Sequence, residues 1–188
     1  MHRVFLLLTL VALAGSCREQ VPQLPHANPP AASTEDLAVY AAVIDSLYSR
    51  DSRVDTILVH EFAVAVPSRM EEDRSTEAVL ARLDRLRGAP RDAIRDFISA
   101  NSSDAAITSP LPIARPMRLT PPDSIGPLKG RPAPYSFEFS RVGYSASRDF
   151  ALVMVSFHCI ICGEGQSVLL KRGPNGWRVV EASVDWVS

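Results

Sequence analysis

Phe150-Ala151-Leu152-Val153-Met154-Val155-Ser156-Phe157 is apolar on both sides of an extended chain, with a lone hydroxyl near its end. A run that short, rich in β-branched and aromatic residues, predicts a strand buried on both faces. Upstream, Tyr135, Phe137 and Phe139 alternate with Ser136, Glu138 and Ser140, the pattern of a strand with one wet face. Downstream, Val168 to Leu170 forms the heart of a third strand. Gly173-Pro174-Asn175-Gly176 is turn chemistry. Trp177 to Trp186 makes a fourth strand, and its apolar phase slips between Val179 and Val184, which predicts a bulge or strong twist there. The whole stretch reads as a four-stranded antiparallel meander.

Helical spacing dominates the preceding half. Leu37, Tyr40, Ala41, Ile44, Leu47 and Tyr48 recur at three- and four-residue steps. Ser33 or Thr34 can cap that helix, and Glu35 and Asp36 suit its positive end. Val54 to Val66, closed by Pro67, predicts a strand. A second helix starts at Ser75 with a stripe of Val79, Leu80, Leu83 and Leu86, and stops at Gly88. Pro90 opens a short third helix with Ile94, Phe97 and Ile98 facing inward. Residues 110–134 hold eight prolines in twenty-five, so no helix or central strand fits there. The expected fold is therefore α+β: three N-terminal helices packed on a C-terminal four-stranded antiparallel meander, with one further strand near 54–66. Residues 34–188 make a single domain with a Pro-rich loop at 110–134.

The chain has 188 residues, 46% hydrophobic and 22% charged, with 20 basic against 21 acidic residues. That balance excludes a nucleic-acid binder of the usual basic kind. Met1-His2-Arg3, the apolar run Val4 to Leu13, and Ala14-Gly15-Ser16 have the layout of a signal peptide over 1–16. The run is half as long as a membrane span. Ala12-Leu13-Ala14 fits ordinary signal-peptidase cleavage, giving a soluble periplasmic or secreted product. Ala14-Gly15-Ser16-Cys17 resembles a bacterial lipobox, which implies lipidation of Cys17 and a membrane anchor facing the periplasm or cell exterior. Residues 17–33 form a Pro-rich tether too polar to order itself. The expected partner is thus a bacterial membrane, reached through the lipid.

Cys159-Ile160-Ile161-Cys162 lies between the second and third strands of the meander. A disulfide suits an exported chain: of three cysteines, one takes lipid and two are left to pair. A redox centre would want a helix N-terminus beneath the first Cys, and glycines and a strand follow instead. Zinc would want two more ligands. His60-Glu61 begins a zinc-protease motif, but Val64 stands where the second His belongs, on a strand rather than a helix. No catalytic constellation, metal site or cofactor motif emerges. The reading is an extracytoplasmic binding or assembly domain without chemistry of its own. The alternatives are a pocket domain whose polar candidates are His60, Glu61, His158 and Asp185, or a thiol or metal site at the cysteines.

Two resemblances arise from the residues just quoted. Tyr40 to Tyr48, with Ser140-Arg141-Val142-Gly143-Tyr144, Ala151-Leu152-Val153, Cys162-Gly163-Glu164-Gly165, Leu169-Leu170-Lys171, Gly176-Trp177 and Trp186-Val187-Ser188, resembles a group of exported bacterial proteins. It implies a domain and no activity. The Ala-Leu-Val strand, the following strand, Gly176-Trp177-Arg178-Val179-Val180 and Trp186 are similar to the end of NTF2-like domains. Those are α+β cones with a pocket used by enzymes and binding modules alike, so the resemblance implies a fold and not a function.

Overall fold

The computed structural model describes residues 29–48, 56–64, 75–121, 136–159 and 162–188. Three helices are present among them: α1 (Thr34–Leu47), α2 (Thr76–Leu83) and α3 (Arg91–Ala100). The strands are β1 (Ile57–His60), β2 (Phe62–Ala63), β3 (Ala105–Ala106), β4 (Met117–Thr120), β5 (Ser136–Phe139), β6 (Gly143–Tyr144), β7 (Phe150–His158), β8 (Gly163–Gly173) and β9 (Gly176–Val187). Seven of them form one sheet in the order β4-β1-β5-β7-β8-β9, with β6 beside β7. β2 and β3 form a small second sheet.

This corrects the expected architecture. The antiparallel run β5-β7-β8-β9 exists, but it is not a free-standing four-stranded meander. β1 adds to it in parallel with β5, through Leu58↔Ser136 and Val59↔Phe137. β4 then adds in parallel with β1. The sheet is mixed and larger than local pattern shows, because a parallel neighbour arrives through a long crossover. The helices are not stacked on one side either: α1 covers one face, and α2 and α3 cover the other.

Local chemistry explains the elements. Ser33 caps α1, its hydroxyl accepting from the Asp36 amide while the Asp36 carboxylate accepts from the Ser33 amide. The stripe of α1 then buries Val39, Tyr40, Val43 and Ile44 against Phe137, Phe139, Val153, Val155, Val168 and Leu170. The Tyr40 hydroxyl donates to the Ser140 carbonyl at 3.0 Å, so its polar tip is not stranded in the core. The strand expected over 54–66 breaks at Glu61 into β1 and β2. Prolines confine β4 to four residues at the sheet margin, bounded by Pro116 and Pro121.

On the opposite face, Val79, Leu83, Leu86, Ala93 and Phe97 meet Leu152, Met154 and Leu169. α3 sits almost on the backbone of β6. A Cβ at Gly143 would lie 2.4 Å from the Phe97 Cα, so only glycine fits. Two carboxylates fasten that contact: Asp96 accepts from the Tyr144 amide at 2.7 Å and Asp92 from the Ala146 amide at 2.8 Å. Glu181 on β9 accepts from the amides of Arg87 and Gly88, fixing the α2–α3 connection. β9 shifts register opposite Gly165/Gln166 and Leu169/Leu170, placing the slip anticipated around Val179–Val184.

The signal-like segment 1–16, Cys17, most of the tether, the charged stretch 68–74 and the greater part of the Pro-rich loop lie outside the described residues. Among the described residues, no helix is long and apolar enough to cross a membrane.

Candidate functional site

Strand register assembles one transverse row on the α2/α3 side of the sheet. Thr120 of β4 is opposite His60 of β1. His60 is followed across by Glu138 of β5, whose Oε1 lies 3.7 Å from the imidazole Nδ1. Glu138 pairs with Ser156 of β7. Ser156 pairs with Gly165 of β8, and Gly165 with Trp186 of β9. Ser136, two residues before Glu138, stands on the same face in the next row, opposite His158.

The row is sealed from solvent. His60 is 4% exposed, Glu138 3%, and Ser136 and Ser156 0%. Burial of polar groups normally comes with hydrogen bonds. Here His60 Nδ1 and Nε2, Ser136 Oγ, Ser156 Oγ and Trp186 Nε1 have no hydrogen-bond partner among the described residues. Each such group costs about 1–3 kcal/mol when left unmade. A cluster of them on one sheet face is expensive for folding and marks a place with another use.

Burial pushes the His60 imidazole below its ordinary value of 6.5, and the Glu138 carboxylate partly offsets this. The ring is therefore neutral at pH 7, with one nitrogen donating and the other accepting. The two serines both donate and accept, and the Trp186 indole only donates. None of the unpaired atoms is cationic. The set matches a neutral ligand that both gives and takes hydrogen bonds.

The expected site residues divide. His60 is central. Glu61 occupies the bend between β1 and β2, half-buried, where its backbone amide donates to the Thr120 carbonyl and its carbonyl accepts from the Ile107 amide. It contributes a backbone corner. His158 shares the polar face one row along, its ring 5.7 Å from that of Trp186. Asp185 is buried but engaged: Ser167 Oγ donates to it at 2.7 Å and Arg85 lies 3.5 Å away. Burial raises its pKa, and the serine and the arginine work against that. It ties α2 to β9 and does not join the His60 cluster. Cys159 and Cys162 form a disulfide at the end of the β7–β8 hairpin. The same pair is thereby not a free thiol or metal site, and no group of three potential metal ligands occurs among the described residues. Cys17 lies outside the described residues.

Glu138, Ser136, Ser156 and Thr120 were not anticipated. One signal pointed to them: Ser156 interrupts an otherwise apolar central strand. Fold and site together define a mixed α/β protein with a buried, under-satisfied polar face. Comparison of the chain with protein-family models, curated proteins and solved structures returns no match.

Proposed function

We propose that this chain is an exported domain that holds a small, neutral, hydrogen-bonding ligand on the polar face of its sheet, carried on a lipid anchor at Cys17. The unpaired buried atoms of His60, Ser136 and Ser156 are the observation that carries the ligand reading. A molecule satisfying them would recover part of the folding cost they impose. The signal-like start, the lipobox-like Ala14 to Cys17 and the disulfide favour an oxidising compartment and a membrane tether.

Thermal melting of the full chain against a panel of neutral polyols, amides, acids and amines tests the ligand reading. A ligand at a hundred times its Kd adds about 2.7 kcal/mol. The expected result is a raised Tm with neutral members, abolished in Ser156→Ala. No shift from any class, together with a destabilised Ser156→Ala, would make these groups structural. Intact mass of the protein made in a two-membrane bacterium tests the anchor. A lipid increment on Cys17, absent from Cys17→Ser, is expected; an unmodified chain starting at Gly15 overturns it.

A further inference from the structure

The Cys159–Cys162 bond joins residues three apart at the tip of the β7–β8 hairpin. The backbone closes that tip without it. The ladder runs unbroken from Phe150↔Lys171 to His158↔Gly163, and the Cys159 amide then donates to the Cys162 carbonyl at 2.8 Å. So small a loop gains least from a cross-link, because closing it costs the unfolded chain little. The two half-cystines differ in access: Cys162 is exposed and Cys159 half-buried. Gly163, next to Cys162, lies against the Trp186 ring, where a Cβ would come within 2.9 Å of it. His158, next to Cys159, has its ring 5.7 Å from the same indole. The hairpin therefore presents an exposed half-cystine beside an indole and an imidazole, on a backbone that does not need the sulfur bond.

We propose that Cys159–Cys162 is an exchange-active disulfide that takes two electrons from a dithiol protein, with Cys162 as the sulfur attacked. A redox centre that donates electrons must hold its own low-pKa thiolate, which is the service a helix N-terminus performs. An acceptor needs no such helix, because the partner supplies the nucleophile. In the first step a partner thiolate bonds to Cys162 Sγ, the Cys162–Cys159 bond breaks, and Cys159 leaves as a thiolate. In the second step the partner's other thiolate attacks the partner sulfur of that mixed disulfide, and Cys162 leaves in turn. The two protons of the partner dithiol end on Cys159 and Cys162. The partner is oxidised to a disulfide and this chain is reduced to a dithiol. The ladder and the 159–162 backbone bond stay in place, so the fold survives the change. This site is separate from the His60 row and requires no ligand there.

Three probes on the full wild-type chain test this: glutathione as a monothiol, dithiothreitol as a dithiol, and reduced thioredoxin as a protein dithiol. After brief glutathione treatment and trapping with N-ethylmaleimide, fragment-ion mass should place glutathione on Cys162 and maleimide on Cys159. Glutathione confined to Cys159 overturns the proposal. With dithiothreitol, the ratio of the reduction rate of the folded chain to that of the urea-unfolded chain should be one or greater. A structural bond is shielded by the fold, so a ratio well below one overturns the proposal. Circular dichroism of the reduced chain should keep the sheet signal, and its loss would show the bond to be holding the fold instead. Reduced thioredoxin should be oxidised one for one with the chain's bond, and a chain that reacts with dithiothreitol but leaves thioredoxin reduced is no acceptor for a protein dithiol.

Discussion

The two faces of the sheet are made from the same strands, residue by alternate residue, and they are closed in opposite ways. Under α1 the closure is aromatic. Tyr40 stacks on Phe139 at 4.5 Å, and Tyr48 meets both Phe137 and Phe157 at 4.9 Å. Of the two tyrosine tips buried there, Tyr40 donates to the Ser140 carbonyl, and the Tyr48 hydroxyl has no hydrogen-bond partner among the described residues. On the other face the α2/α3 end is equally apolar around Leu152, Met154 and Leu169, but the closure changes character toward β1 and β5. There the buried groups are an imidazole, a carboxylate and hydroxyls, several of them unpaired. The α1 face leaves one such group unpaired, and the β1–β5 end of the other face leaves several. That division is the usual mark of a site held by a rigid scaffold.

The contrast can be broken by mutation. Phe139→Ala should cost about 3–5 kcal/mol in urea unfolding, because its ring is fully buried among other rings. A loss below about 1 kcal/mol would mean the α1 face is not the stabilising one. Gly143→Ala should come next, at up to about 3 kcal/mol, since the added carbon has no room beside Phe97. Its effect, read in the same experiment, shows how much of the α3 packing depends on that single approach.

Ser156→Ala should act with the opposite sign. Removing an unpaired buried hydroxyl should raise the stability of the ligand-free protein by about 1 kcal/mol. A loss of similar size would erase the distinction between the faces. The smallest effect concerns pH. Burial holds the His60 pKa below its unfolded value, so the unfolded chain binds the extra proton more readily. This contribution is complete above about pH 6.5 and declines as pH falls below it. Unfolding curves at pH 7.5 and 5.5 should show wild type losing more stability than His60→Gln across that interval.

The antiparallel half of the fold was legible in the sequence, since β7, the Gly173–Gly176 turn and the irregular β9 each carry a local signal. Helix α1 was equally plain, through its stripe and its Ser33 cap. The alternation in β5 predicts one wet face, and the structure buries all four residues of the strand. Its polar side reads as water-facing because nothing local shows that β1 lies alongside. A strand with neighbours on both edges, inside a covered sheet, has no wet face. The same missing neighbour hid the site: His60 and Glu138 meet only through the β1–β5 pairing. Glu61 and Asp185 looked equally suitable by residue type, and only the backbone bend and the Ser167–Arg85 network remove them from the cluster.

The parallel junction of β1 with β5 also sets a timetable. Leu58 pairs with Ser136, so the ends of a very long loop must be brought together before that contact is rewarded. The hairpins β7–β8 and β8–β9 need only their own turns. High sequence separation of this kind slows folding far more than it lowers final stability. During synthesis β1 emerges well before either of its neighbours, β4 and β5, and Ile57 and Val59 wait unpaired until those strands are made. The junction that brings His60 to Glu138 is therefore the part of the protein most dependent on an unhurried, protected passage to its native state.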